Sequence, residues 1–206
     1  MISRGRFITL EGIDGAGKST QASFIAEKLR ARGIDPLVTR EPGGTPLGEQ
    51  LRELILHQPM SARAETLLLF AARTQHVDAV IAPALASGRW VLCDRFTDAS
   101  FAYQGGGRGV RATDIETLAN WVHADLWPDI TLLFDLAPEV AAQRLAKSRP
   151  ADRFETEQLA FFARVRTAYL ARAQAEPARF VVFDGSVAPE RLQRQLEKHI
   201  ESWLSK

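Results

Sequence analysis

The run Gly12-Ile13-Asp14-Gly15-Ala16-Gly17-Lys18-Ser19-Thr20 has the spacing G-x-x-x-x-G-K-S. Ahead of it Arg6-Phe7-Ile8-Thr9-Leu10 is a short β-prone run. Behind it Ala22, Ile25, Ala26 and Leu29 recur at helical spacing. Strand, glycine loop and helix in that order gather several backbone N–H groups and a helix N-terminus around one point. Unpaired amides and the helix dipole both favour an anion there, so the point is suited to phosphate. Lys18 would reach the β- and γ-phosphates of a nucleotide, and the Ser19 hydroxyl would ligate magnesium.

Further polar residues close apolar runs, at the strand ends where open parallel sheets bind ligands. Asp94 follows Trp90-Val91-Leu92-Cys93 and reads as the second acidic element of the phosphate site, acting on magnesium directly or through water. The competing reading is a cap of a helix or turn. Arg95 beside it suits bidentate phosphate binding, against a plain surface salt bridge. Arg40 holds the same place after Leu37-Val38-Thr39. Arg73 adjoins the apolar run Leu67-Leu68-Leu69-Phe70, and two readings stand open: burial with an anion, or a stem that snorkels to water.

Gly105-Gly106-Gly107 with Gly109 reads either as a second glycine loop or as a flexible turn. The basic stretch Lys147-Ser148-Arg149-Pro150-Ala151-Asp152-Arg153 is either a solvated face or a closing flap. On a flap, its arginines would stabilise charge on a transferring phosphoryl group and help exclude water. The histidines His57, His76, His123 and His199 have no metal-ligand spacing and read as structural or surface residues.

The elements that must position these groups follow from apolar periodicity. Strand-like runs at 6–10, 37–39, 90–93, 130–135 and 180–184 alternate with helical patterns. That alternation predicts an α/β fold, a five-stranded parallel sheet with helices on both faces. Helices are expected at 18–32, 47–56 and 62–87, the last bent near Pro83. Another opens near Thr113 as N-cap, one follows Pro138, a long one reaches about 175, and the last spans 189–203.

The 206 residues suit one domain with a core that needs no metal or disulfide support. With 46% hydrophobic and 25% charged residues the composition is that of an ordinary globular chain. A net charge of +1 supplies no basic field for nucleic acid. The single cysteine, Cys93, rules out a disulfide framework and fits a reducing cytoplasm. The N-terminus has no apolar leader pattern, and no apolar run approaches bilayer length, so a soluble intracellular domain is expected.

Five segments together resemble one family. Glu11 to Thr20, Arg40-Glu41-Pro42-Gly43-Gly44-Thr45, Asp94-Arg95-Phe96, Ala102-Tyr103-Gln104-Gly105-Gly106 and Asp152-Arg153-Phe154-Glu155 are similar, in order and spacing, to bacterial thymidylate kinases of the P-loop nucleoside monophosphate kinase class. The resemblance covers nearly the whole chain. It implies transfer of the ATP γ-phosphate to dTMP with Mg2+, in a cytoplasmic homodimer. Carried over by position, residues 12–20 hold the ATP phosphates, and Asp14 lies near the dTMP 3′-hydroxyl and the metal. Arg95 binds the acceptor phosphate, Arg73 the base, and Asp94 helps hold magnesium. Arg40 joins the dTMP site, Ser100 and Gln104 face thymine, and Tyr103 packs under the deoxyribose.

Family members differ in where the catalytic arginine resides. Gly15 follows Asp14 here, so the resemblance implies the form in which a lid, about 147–155, supplies it from Arg149 or Arg153. One position departs from the pattern. The family often stacks thymine on a phenylalanine four residues before the base-binding arginine, and Leu69 holds that place. Phe70, three residues before Arg73, shares the helix face and is the expected platform. A kinase for another nucleoside monophosphate or a nucleoside is the alternative. A switch GTPase is disfavoured, because Asn120, the only asparagine, is followed by Trp121.

Overall fold

The computed structural model describes residues 4–145 and 159–204. Phe7–Glu11 (β1) leads into Lys18–Arg30 (α1), Leu37–Arg40 (β2), Pro46–His57 (α2) and Ala62–His76 (α3). A π segment, Val77–Ile81, joins α3 to Ala82–Ala86 (α4), and Val91–Asp94 (β3) follows. Thr97–Ser100 (α5) runs directly into a second π segment, Phe101–Gly107, and then Ala112–His123 (α6). The chain closes with Ile130–Asp135 (β4), Pro138–Leu145 (α7), Leu159–Ala175 (α8), Phe180–Asp184 (β5) and Pro189–Leu204 (α9).

All five strands are parallel, in the order β2-β3-β1-β4-β5. β1 is central, pairing Ile8 with Leu92 on one side and with Ile130 on the other. Its side chains alternate between two cores. Ile8 and Leu10 pack with Ile25 and Leu29 of α1 and Leu196 of α9. Phe7 packs with Val77, Ile81, Leu85, Val91 and Cys93. Every residue of β1 is therefore buried, as a parallel sheet covered on both faces requires. Each such Ile, Leu or Phe contributes about 1.5–3 kcal/mol by leaving water. Cys93 is sealed in the second core, where burial pushes its thiol well above the ordinary range.

The expected bend near Pro83 lies just upstream, as the π segment Val77–Ile81. Proline has no N–H and its ring crowds the preceding turn. The turn ahead of it widens instead, the Ala82 N–H bonding to the Val77 carbonyl. Thr113 is not the N-cap of α6; Arg111 occupies that place without a side-chain cap. The glycine cluster is neither a second phosphate loop nor a flexible turn, because Gly105, Gly106 and Gly107 continue the π segment that α8 packs against. A Cβ on Gly107 would lie 2.5 Å from Phe161 Cε2, and one on Gly106 would lie 2.6 Å from Ala168 Cβ. Only glycine allows that approach. The segment carries Tyr103 and Gln104, so this packing fixes two of the expected site residues.

Candidate active site

The turn after β1 winds through Gly12, Gly15 and Gly17, all at positive φ, and Gly17 is the N-cap of α1. Ile13 and Ala16 bury their side chains, so they can offer a ligand only backbone. Lys18 Nζ donates to the Gly12 and Ile13 carbonyls, both at 3.1 Å. Burial, helped by the neighbouring Arg95 charge, lowers its pKa. Gly15 has φ +83°, and a Cβ there would meet the Ala141 carbonyl of α7 at 2.9 Å. An arginine at this position has no room while α7 stays in place. Arg144 of α7 donates to the Gly15 and Gly185 carbonyls and ties the loop to the end of β5.

Arg95 is the hub of the site. It sits at φ +73°, unusual for a non-glycine residue, and its guanidinium is largely buried. Nη1 donates to the Gly12 carbonyl at 2.9 Å and to Tyr169 Oη at 3.1 Å. Nη2 donates to Asp14 Oδ1 at 2.8 Å and to Tyr103 Oη at 3.0 Å. Four donors are thus engaged within the chain in this conformation. In this conformation Nε–H is the donor left for an incoming anion. Burial disfavours the Asp14 charge, but Arg95 and Lys18 outweigh it and hold the carboxyl well below the usual carboxylate range.

Beneath the hub lies Glu11, fully buried. Its Oε1 accepts from the Phe96 N–H and its Oε2 from the Tyr169 hydroxyl, both at 2.7 Å. Burial and the nearby Asp98 carboxylate push its pKa up to about 8, against the opposing pull of Arg95.

Next to the phosphate loop a cleft, partly open to solvent, is lined by Arg52 and Ile55 of α2, Leu69 and Arg73 of α3, and Arg95 and Phe96 after β3. Arg73 is buried with an anion, which resolves its two readings: Nε donates to Glu41 Oε2 at 2.7 Å and Nη1 to Ser100 Oγ at 3.1 Å. Glu41 is held in turn by His76 Nδ1 at 3.0 Å, and His76 Nε2 meets Thr39 Oγ1 at 2.8 Å. The Arg73 guanidinium lies 4.6 Å from the Phe70 ring centre and 5.1 Å from that of Phe96. Gln104 Nε2 donates to the buried Glu65 Oε1 at 2.7 Å.

Phe70 does not line the cleft. It is buried in a small core with Phe101, Ile115 and Ala119, behind Arg73, while Leu69 and Phe96 line the cleft. α3 turns Leu69 toward the cleft and Phe70 away from it, against the expectation that Phe70 is the platform. Arg40 stands at the phosphate side of the site. It pairs with Glu49 at 2.8 Å and lines the phosphate compartment, outside the base cleft. The two compartments adjoin and share Asp14, Glu41, Arg52 and Arg95. Arg149 and Arg153 lie outside the described residues.

Ser19 Oγ donates to Asp94 Oδ2 at 3.3 Å, and Asp94 Oδ1 is buried with no partner among the described residues. One hydroxyl and one carboxylate facing a phosphate compartment form a hard-oxygen set of the kind that suits magnesium, which keeps waters and phosphates as its other ligands. Sequence reasoning missed Glu11, Arg52, Glu65, His76 and Tyr169 as site residues. Glu11 carried a signal as the polar residue closing the first apolar run, and Glu65 as a lone acid beside an apolar helical run.

A five-stranded parallel sheet, a phosphate loop after its central strand and an adjoining arginine-floored cleft define a P-loop kinase of the nucleoside monophosphate type. A family model described as thymidylate kinase matches residues 10–196. The thymidylate kinase of Bordetella pertussis is 55% identical over 205 residues, covering 100% of this chain and 99% of that protein. That of Methylobacillus flagellatus is 56% identical over 193 residues, 94% of this chain and 95% of the other. The crystal structure of thymidylate kinase from Ehrlichia chaffeensis superposes with a TM-score of 0.78 at 32% identity, covering 96% of this chain and 99% of that one. The chain belongs to the thymidylate kinase family.

Proposed function

We propose that the two adjoining compartments are the donor and acceptor halves of one phosphotransfer site. The chain is an ATP-dependent phosphotransferase that converts dTMP and ATP to dTDP and ADP. The observation that carries the site reading is the shared wall: Asp14 and Arg95 belong at once to the phosphate compartment and to the base cleft. A donor γ-phosphate over Lys18 therefore looks across Arg95 at an acceptor phosphate.

In this reading residues Gly12 to Thr20 hold the ATP phosphates, and Lys18 leaves its two carbonyl partners for the β- and γ-oxygens. Arg95 Nε–H and its charge orient the acceptor phosphate, with Arg40 and Arg52 adding charge at the rim. Asp14 meets the deoxyribose 3′-hydroxyl. Tyr103, pinned by Arg95 and Asp14, crowds a 2′-hydroxyl. Arg73, Ser100 and Gln104 address the base. Ser19 and Asp94 would hold Mg2+, which when bound would neutralise phosphate charge. Arg149 or Arg153, on a lid over about 147–155, supplies the arginine that Gly15 leaves out. Catalysis is positioning and electrostatics, with no covalent enzyme intermediate.

The chain acts as a single-domain cytoplasmic homodimer in this reading. No helix of the described residues is long and apolar enough to cross a membrane. Half-exposed Leu47, Leu54 and Leu67 on α2 and α3 suit a subunit interface. A coupled ADP-release assay across dTMP, dUMP, UMP, CMP, GMP and thymidine tests the substrate. The reading requires dTMP to be preferred; preference for thymidine over dTMP would overturn it.

A further inference from the structure

Among the described residues one cleft-lining amide, that of Gln104, is held by a buried carboxyl group. Gln104 lines the cleft, is 2% exposed, and donates through Nε2 to Glu65 Oε1 at 2.7 Å. Glu65 is itself wholly buried, and its other carboxylate oxygen lies 3.6 Å from Arg108 Nε. The NH2 end of the amide is thereby committed to the Glu65 carboxyl oxygen, which accepts from it. The carbonyl end, Oε1, is then turned toward the cleft as an acceptor.

We propose that Glu65 is a positioning residue that sets base choice by locking the Gln104 amide with its acceptor toward the ligand. The inference rests on the acceptor-site reading above and deepens it. A thymine or uracil ring offers an N3–H donor, which pairs with the Gln104 carbonyl. A cytosine ring offers a bare N3 acceptor, which opposes it. An unlocked glutamine could rotate its amide and satisfy either ring. Locked by Glu65, it can satisfy only the first, and the opposed acceptors weaken binding of the second. Selection against cytosine therefore originates one residue away from the ligand, on α3.

The test compares dissociation constants of dTMP and dCMP, whose phosphate and sugar contacts cancel in the ratio. Glu65→Gln presents an amide that can donate or accept, so the lock is lost and the dTMP preference falls by on the order of tenfold or more. Glu65→Asp keeps an acceptor-only group and retains the preference within about threefold, even if both ligands weaken. A wild-type ratio in Glu65→Gln, or equal losses in both variants, overturns the proposal. A neutron structure of the unliganded wild-type protein reads the lock directly and does not depend on the variants folding. Deuterium on the Gln104 nitrogen facing Glu65 supports it, and deuterium on the cleft side overturns it. Failure of the wild type to prefer dTMP would instead strike the acceptor-site reading, leaving the amide orientation to judge the lock.

Discussion

Asp14 Oδ1 and Arg95 Nη2 are bonded at 2.8 Å, joining the phosphate loop after β1 to the turn after β3. The same guanidinium reaches the Gly12 carbonyl and the hydroxyls of Tyr103 and Tyr169, so one side chain ties four parts of the cleft together. A lysine carries the charge without the fork and cannot reproduce those bonds. Arg95→Lys is expected to lower kcat/KM for dTMP on the order of a hundredfold. Steady-state kinetics at varied dTMP measure it, and a loss below about threefold would contradict the hub assignment.

Leu69 and Phe70 are expected to part company on substitution. Leu69 lines the cleft, so Leu69→Ala raises KM for dTMP severalfold with little change in kcat. Phe70 is core, 2% exposed, so Phe70→Leu costs about 1–2 kcal/mol of stability and leaves that KM within about twofold. Denaturant titration and kinetics on both variants separate the effects. A larger KM rise in Phe70→Leu than in Leu69→Ala would restore the phenylalanine platform.

Glu11 makes stability depend on pH near neutrality. Its pKa rises from 4.5 to about 8 on folding, so the folded chain holds the extra proton between those values. The associated stability is complete below about pH 4.5 and is lost as pH rises toward 8, by at most about 1.4 kcal/mol per unit. Unfolding free energy of the wild type should fall between about pH 6.5 and 8, and Glu11→Gln should flatten that slope. Parallel slopes in the two proteins would contradict the assignment.

Gly15 cannot be replaced without disturbing α7. A Cβ 2.9 Å from the Ala141 carbonyl, at φ +83°, makes Gly15→Ala destabilising by roughly 1–3 kcal/mol. The proposed function assigns the catalytic arginine to Arg149 or Arg153. Arg149→Ala or Arg153→Ala is expected to lower kcat on the order of a hundredfold or more. Full kcat in both variants would end the lid assignment.

The phosphate loop and the strands were legible in the sequence because their signals are local: glycine spacing, and apolar runs closed by polar residues. The partners of the site residues were not. Arg73 finds its carboxylate 32 residues away in Glu41, and Glu11 finds Tyr169 at a separation of 158. Nothing in local spacing announces such pairs. Gly105 to Gly107 read as a loop or turn because glycine disfavours helix; contact with Phe161 and Ala168 of α8 overrode that preference. The choice between Leu69 and Phe70 turned on the rotation of α3 about its axis. Buried Arg73, Glu41 and the Phe101 core set that rotation, and adjacent positions on one helix could not distinguish it.

The most direct test follows the phosphate itself. Incubating the protein with γ-32P-labelled ATP, Mg2+ and dTMP should transfer label to dTDP in equal amount to the ADP formed, with no label on protein. Lys18→Ala should abolish nearly all of that transfer while remaining folded. Label appearing only as inorganic phosphate, or, with thymidine added beside dTMP, on thymidine in preference to dTMP, would contradict the two-compartment kinase built around Asp14 and Arg95.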